Sequence, residues 1–154
     1  MLKIKLTLSL LTIFLFISSC SQAKPIPQPF PSPSSKWTVK LNQSGGIAGV
    51  LLTVEISSDG QLKARDQRSN RNVTQNLSSQ STSKLNQLIS NTAVSAKGVP
   101  QSSCADCFIY DLEIQSEESD LHIHVDDVTI KNSGASELIT YVIKLRDDAL
   151  RPNP

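Results

Sequence analysis

The chain is expected to fold as an α+β domain, an antiparallel sheet of about five strands with two helices packed on one face, in the order βββαββα. Three observations point there. Each segment that reads as a strand alternates apolar with polar residues instead of running continuously apolar, the pattern of a sheet with one covered and one wetted face. Short turn signals, Ser44-Gly45-Gly46 and Asp59-Gly60, join the first three of these segments directly. Two other stretches space their apolar residues three and four apart, as a helix lying on a core does.

Trp37, Val39 and Leu41 alternate with Thr38, Lys40 and Asn42 to open the first strand. A second strand covers about residues 48–57, with Val50, Leu52, Val54 and Ile56 on one face and Leu51, Thr53 and Glu55 on the other. Residues 61–65 continue the meander and turn Leu62 and Ala64 inward. Residues 66–80 are polar, with Val73 and Leu77 as the apolar anchors, and read as a loop or an irregular strand. Over 81–96 the spacing of Leu85, Leu88, Ile89, Thr92, Ala93 and Ala96 suits one helical face, with Ser81 or Ser83 as cap and Gly98 and Pro100 as terminators. Phe108, Tyr110, Leu112 and Ile114 alternate in the next strand. The charged turn Glu117-Glu118-Ser119-Asp120 leads into another, where Leu121, Ile123 and Val125 alternate with His122, His124 and Asp126. A last helix opens at Ser133 or Ser136 and presents Leu138, Ile139, Val142, Ile143 and Leu145, before a polar tail from Asp147.

Ahead of this domain, Lys3 and Lys5 precede an apolar run over 6–17 and the sequence Ile17-Ser18-Ser19-Cys20. A run of about a dozen residues is short for a bilayer core that takes about 20, and a basic start before a short apolar run is the export pattern. An uncleaved membrane anchor and an ordinary signal cleaved near Ala23 are the alternatives. The stretch resembles a bacterial lipoprotein signal. That resemblance implies that residues 1–19 are removed and that Cys20 takes a diacylglyceryl thioether and becomes the acylated N-terminus of an exported protein held by the lipid bilayer. Two or more acyl chains hold firmly, at about 0.8 kcal/mol per buried methylene. Ser21 lacks the aspartate that retains lipoproteins at the inner membrane, so the outer membrane or cell surface is the expected location.

Residues 20–36 then form a tether. From Lys24 to Pro33 the chain reads KPIPQPFPSP, in which every second residue is proline. Each proline fixes its own φ and disfavours helix before it, so the run is extended and spans roughly 30 Å. The remaining 37–150 suffice for one domain. Without Lys3 and Lys5 the cations fall from 15 to 13 against 14 acids, a net charge of −1, with no basic cluster of the kind nucleic acid requires.

Cys104 and Cys107 are the pair left once Cys20 is lipidated, and an exported location favours a disulfide between them. Closing so short a loop is worth about 2 kcal/mol. Redox chemistry of the thioredoxin type would place the first cysteine at a helix N-terminus, whereas here a strand follows. His122, His124 and Asp126 share one strand face and form a weak candidate metal set against the simpler reading of solvated side chains. Nucleophile elbow, phosphate-cradling loop and HExxH helix are all absent from the sequence, and Glu117-Glu118, Asp126-Asp127 and Asp147-Asp148 read as turn and helix-end charges. No catalytic residue and no cofactor is expected.

The opening Trp37-Thr-Val-Lys-Leu, the hairpin Ser44-Gly45-Gly46-Ile47-Ala48-Gly49 and its alternating strand resemble the emfourin family. The likeness extends through Leu85 to Ile89, Asp106 to Tyr110 and Leu138 to Leu145. That family comprises small protein inhibitors of thermolysin-like zinc metallopeptidases of the protealysin type. The resemblance implies binding instead of catalysis, with a secreted zinc metallopeptidase as partner and the hairpin, Ser44 through Gly49, as candidate contact surface. The alternative is a structural or ligand- or metal-binding surface lipoprotein with no protease partner.

Overall fold

The structure, a computed structural model, describes residues 36–92, 104–117 and 120–151. The signal, Cys20 and nearly all of the tether lie outside the described residues, as do Ala93, Ala96, Gly98, Pro100, Glu118 and Ser119. The elements in chain order are β1 (Trp37–Gly45), β2 (Val50–Ser57), β3 (Gln61–Asp66), β4 (Arg71–Asn76), α1 (Ser79–Asn91), β5 (Phe108–Ser116), β6 (Asp120–Asp126), a 3₁₀ turn (Ile130–Asn132) and α2 (Ser136–Leu150). The strands form one sheet in the order β4-β3-β2-β1-β5-β6, and every pairing is antiparallel.

The α+β class holds, with six described strands where about five were expected. The additional one is β4, inside the polar stretch read as a loop or irregular strand. Val73, opposite Ala64, is its half-buried apolar residue, while Asn72, Thr74 and Asn76 are exposed. As an edge strand it needs little apolar surface, because β3 supplies the backbone hydrogen bonds that hold it.

The core lies between one face of the sheet and the two helices. Trp37, Val39 and Leu41 of β1 join Val54 and Ile56, Leu62 and Ala64, Leu112 and Ile114, and Leu121, Ile123 and Val125 from the other strands. From above come Leu85, Leu88 and Ile89 of α1 and Leu138, Ile139, Val142, Leu145 and Ala149 of α2. The Trp37 indole donates to Asn86 Oδ1 of α1 at 2.7 Å, tying the first residue of the sheet to the first helix. Among the described residues no helix is long and apolar enough to cross a membrane.

The start of the first helix differs from expectation, whereas the last helix opens at Ser136, one of the two expected positions. Helix α1 is capped by Ser78, whose Oγ accepts from the N–H of Ser81; Ser81 and Ser83 are thus inside the helix. Helix α2 begins at Ser136 after Ala135, without a side-chain cap. Ser133 belongs to the preceding turn, where it donates to Ile130 O at 2.7 Å and accepts from Ala135 N at 3.2 Å. The helix also runs past Asp147 to Leu150, because Arg146 and Ala149 continue its buried stripe.

Leu112 is fully buried on a central strand and Ile47 is fully in solvent, 92% exposed. Leu112→Ala is therefore expected to cost about 2–5 kcal/mol. Ile47→Ala should stay within about 0.5 kcal/mol. Urea denaturation of the two variants measures both.

Candidate functional site

The register of β1 brings four connections to one end of the sheet. Gly45 stands opposite Val50 of β2 and Phe108 of β5, so the β1–β2 turn, residues 46–49, lies beside the loop that precedes β5. The Gly49 N–H donates to Gly46 O at 2.9 Å and closes the turn. Gly46 has φ +69, and a Cβ placed there would lie 2.5 Å from the Phe108 ring. The glycine is thus required twice, by its left-handed backbone and by the aromatic ring beneath it. Gly49, at φ +58, has open space where its Cβ would be. Ile47 and Ala48 project into solvent at the tip, and Ser44 is half-buried at the base.

The neighbouring turns brace this tip. In the β3–β4 turn, Asp66 Oδ1 accepts from the Arg68 N–H at 2.9 Å and Asp66 Oδ2 from the Ser69 hydroxyl at 2.7 Å. The Ser69 hydroxyl, with the backbone donors of the turn, holds the Asp66 carboxyl below its ordinary range. Arg68 then donates from Nη1 to the Ala48 carbonyl. On the other side Cys104 and Cys107 form the expected disulfide, with their Cα atoms 5.5 Å apart. Asp127, after β6, accepts from the Phe108 N–H at 2.9 Å through Oδ2 and from the Tyr110 hydroxyl at 2.9 Å through Oδ1. Burial first, and then this carboxylate, push the Tyr110 hydroxyl up to about 12.

This end carries the exposed apolar surface. The large hydrophobic side chains that the described residues leave exposed are Ile47 (92%), Val128 (61%) and Leu51 (37%). Ile47 is at the hairpin tip, Leu51 is next to the start of β2, and Val128 follows Asp127. Lys36, the first described residue, is at the other end of β1, about 27 Å away along a nine-residue strand.

The histidines are elsewhere. His122 and His124 lie on the outer face of the sheet, away from the helices, and both approach Asp111 of β5: His124 Nδ1 is 2.5 Å and His122 Nε2 3.6 Å from Asp111 Oδ1. Asp126 does not complete their set. It is buried at the end of β6, where its Oδ1 accepts from the N–H groups of Val128 and Thr129 at 2.9 and 2.8 Å and from the Thr129 hydroxyl at 2.9 Å. No group of three His, Cys, Asp or Glu residues arranged to hold a metal ion occurs among the described residues.

Sequence reasoning located the hairpin and the cysteine pair but not the residues that join them. Phe108 read as an ordinary strand residue and Asp127 as a turn charge, since nothing in their spacing signals a partner so far along the chain. No family model matches the chain, and no curated protein matches it.

The two turn glycines should respond differently to the same substitution. Gly49→Ala is expected to cost about 1–2 kcal/mol from the left-handed backbone alone. Gly46→Ala meets the Phe108 ring as well and should cost about 1–3 kcal/mol more. Equal losses in denaturation midpoints would contradict the packing described.

Proposed function

We propose that the chain is a lipid-anchored envelope protein that binds another protein through this end of the sheet, and that the partner is a thermolysin-like zinc metallopeptidase whose substrate cleft the hairpin occupies. The observation that carries the reading is the gathering of Ile47, Leu51 and Val128 at the end of the sheet farthest from Lys36. Singly scattered apolar residues mean little, but three exposed at the same end of the sheet suit contact with a partner. Backbone held before binding also loses less conformational freedom when it docks. Gly49, with open space where a Cβ would stand, allows close approach of main chain, which a narrow cleft demands.

In this reading the tether joins at Lys36 and leaves the hairpin end facing away from the membrane. Cys20 acylation supplies the anchor, and the domain acts by occupying the peptidase without chemistry of its own.

Two measurements test the two halves of the proposal. The mature chain in detergent, titrated into a thermolysin-like peptidase, is expected to stop peptide cleavage near equimolar ratio. Ile47→Asp should weaken this by roughly thirtyfold, the loss of about 2 kcal/mol typical of a contact centre. Full proteolysis at saturating protein would overturn the inhibitory reading. Separately, Cys20→Ser should move the protein out of the membrane fraction, and an unchanged membrane fraction would refute the anchor.

A further inference from the structure

We propose that the outer face of the sheet, over β2, β3 and β4, binds an acidic sugar, a uronic acid residue of a glycan chain, with Arg65 as its anion contact. The site does not depend on the peptidase reading. Lys63 and Arg65 leave β3 on the face opposite Leu62 and Ala64, which are buried under the helices. The strand register then sets their neighbours in two rows. One row runs Asn72, Arg65, Thr53 across β4, β3 and β2, and the other runs Thr74, Lys63, Glu55, Lys40 from β4 to β1. With strands about 4.8 Å apart and the rows about 7 Å apart, these side chains sit close enough to touch one ligand together. They line an open groove of about 300 Å³. That is the lower end of the range for ligand sites, room for a sugar ring.

The lining decides what kind of occupant fits. Drug-like sites are mostly apolar, whereas polar groups rim this groove, so its ligand is polar as well. Lys63 stands 3.6 Å from Glu55, and Lys40 stands 3.9 Å from Glu113 of β5. Each lysine therefore has a carboxylate beside it. Three cations against two acids leave a surplus of one, and the unmatched group is Arg65. Its guanidinium makes no hydrogen bond or ion pair with another described residue, and neither do the side chains of Thr53, Asn72 and Thr74.

A guanidinium presents a planar fork of donors that matches a carboxylate and stays charged at any pH the protein meets. The Thr53 and Thr74 hydroxyls and the Asn72 amide both donate and accept, while Glu55 only accepts. A uronic acid has one carboxylate for Arg65 and several hydroxyls for the rest. A phosphate monoester, at about −1.5 to −2, exceeds the single surplus charge and has no hydroxyl to offer Glu55. The acid inside a cationic groove thus selects for a ligand that also donates hydrogen bonds.

Titration of the ¹⁵N-labelled mature chain with trigalacturonic acid, followed by its amide NMR signals, tests the site without any protein partner. The signals of Thr53, Lys63, Arg65 and Asn72 are expected to move saturably, while those of Leu88 and Leu138 in the helical layer stay fixed. Uncharged galactotriose lacks the charge and inorganic phosphate lacks the sugar hydroxyls, so each should bind at least roughly tenfold more weakly. Arg65→Gln should weaken trigalacturonate binding at least roughly tenfold as well. Arg65 is exposed, so this variant should keep the urea midpoint of the parent. Asn72→Ala, on the exposed edge strand, serves as a second variant and should weaken binding at least roughly threefold.

Absence of a saturable shift in the groove overturns the proposal, and so does Arg65→Gln binding like the parent. Galactotriose within tenfold of the acid would show that charge does not decide the binding, and phosphate within tenfold would make the groove a simple anion site; either result also overturns it. None of these readouts involves the peptidase, so this proposal and the inhibitory one stand or fall separately.

Discussion

A slip of one residue between β1 and its neighbours would turn Trp37, Val39 and Leu41 into water and bring Thr38, Lys40 and Asn42 under the helices. The first three are buried: Val39 stands between Ile56 and Ile114, Leu41 between Val54 and Leu112, and Trp37 opposite Ser116. At about 1.5–3 kcal/mol for each large apolar side chain, exposing three of them would consume most of the 5–15 kcal/mol that keeps a small domain folded. The register is therefore single-valued. Because it is, Gly45 must face Phe108, and the turn that follows must lie on the disulfide loop.

The apolar core thins before it reaches that loop. The last inward row contains Gln43 of β1 beside Tyr110 of β5, and α2 adds Arg146, which is 2% exposed. Arg146 donates through Nε and Nη2 to Asp147 Oδ1 at 2.8 Å, while its Nη1 and Gln43 Oε1 are buried without a hydrogen-bond partner among the described residues. Each such atom costs about 1–3 kcal/mol. The stability of the sheet is thus concentrated toward Trp37, and the loop end depends on specific polar links, Asp127 to Phe108 and Arg68 to Ala48, together with the disulfide. Local departures from core-building rules are expected where a surface is kept for contact.

This division also explains what the sequence revealed. Alternation in β1, β2, β3, β5 and β6, and the spacing in both helices, are local signals repeated several times over, so the α+β class and the inward residues could be read directly. Edge strand β4 could not, because Val73 alone carries its inward pattern and the strand exists by virtue of β3. The start of α1 shifted because serines at 78, 81 and 83 compete as caps, and tertiary position decides among them. The hairpin and the Cys104–Cys107 pair were legible as motifs. Their contact was not, since 57 residues of chain lie between Gly46 and Cys104 and the β1–β5 pairing brings them together. His122, His124 and Asp126 show the limit of alternation, which puts all three on one face although the turn after β6 claims the carboxylate.

Where a partner could dock is further limited by how the rest of the sheet meets water. Its outer face carries the cross-strand pairs Lys40–Glu113 at 3.9 Å and Lys63–Glu55 at 3.6 Å, half-exposed ion pairs that contribute little stability but keep the surface hydrated. The two edges, where an unpaired backbone would otherwise recruit another strand, carry Asn72, Thr74 and Asn76 on β4 and Asp120, His122 and His124 on β6, all exposed. Burying these groups against an apolar surface would strip water from charges and amides with no compensating partner. At the hairpin tip Ile47, Leu51 and Val128 gain by leaving water, and the nearby carbonyls of Ala48 and Cys107 already have their donors. An apolar partner surface would therefore meet the smallest desolvation cost at the hairpin tip.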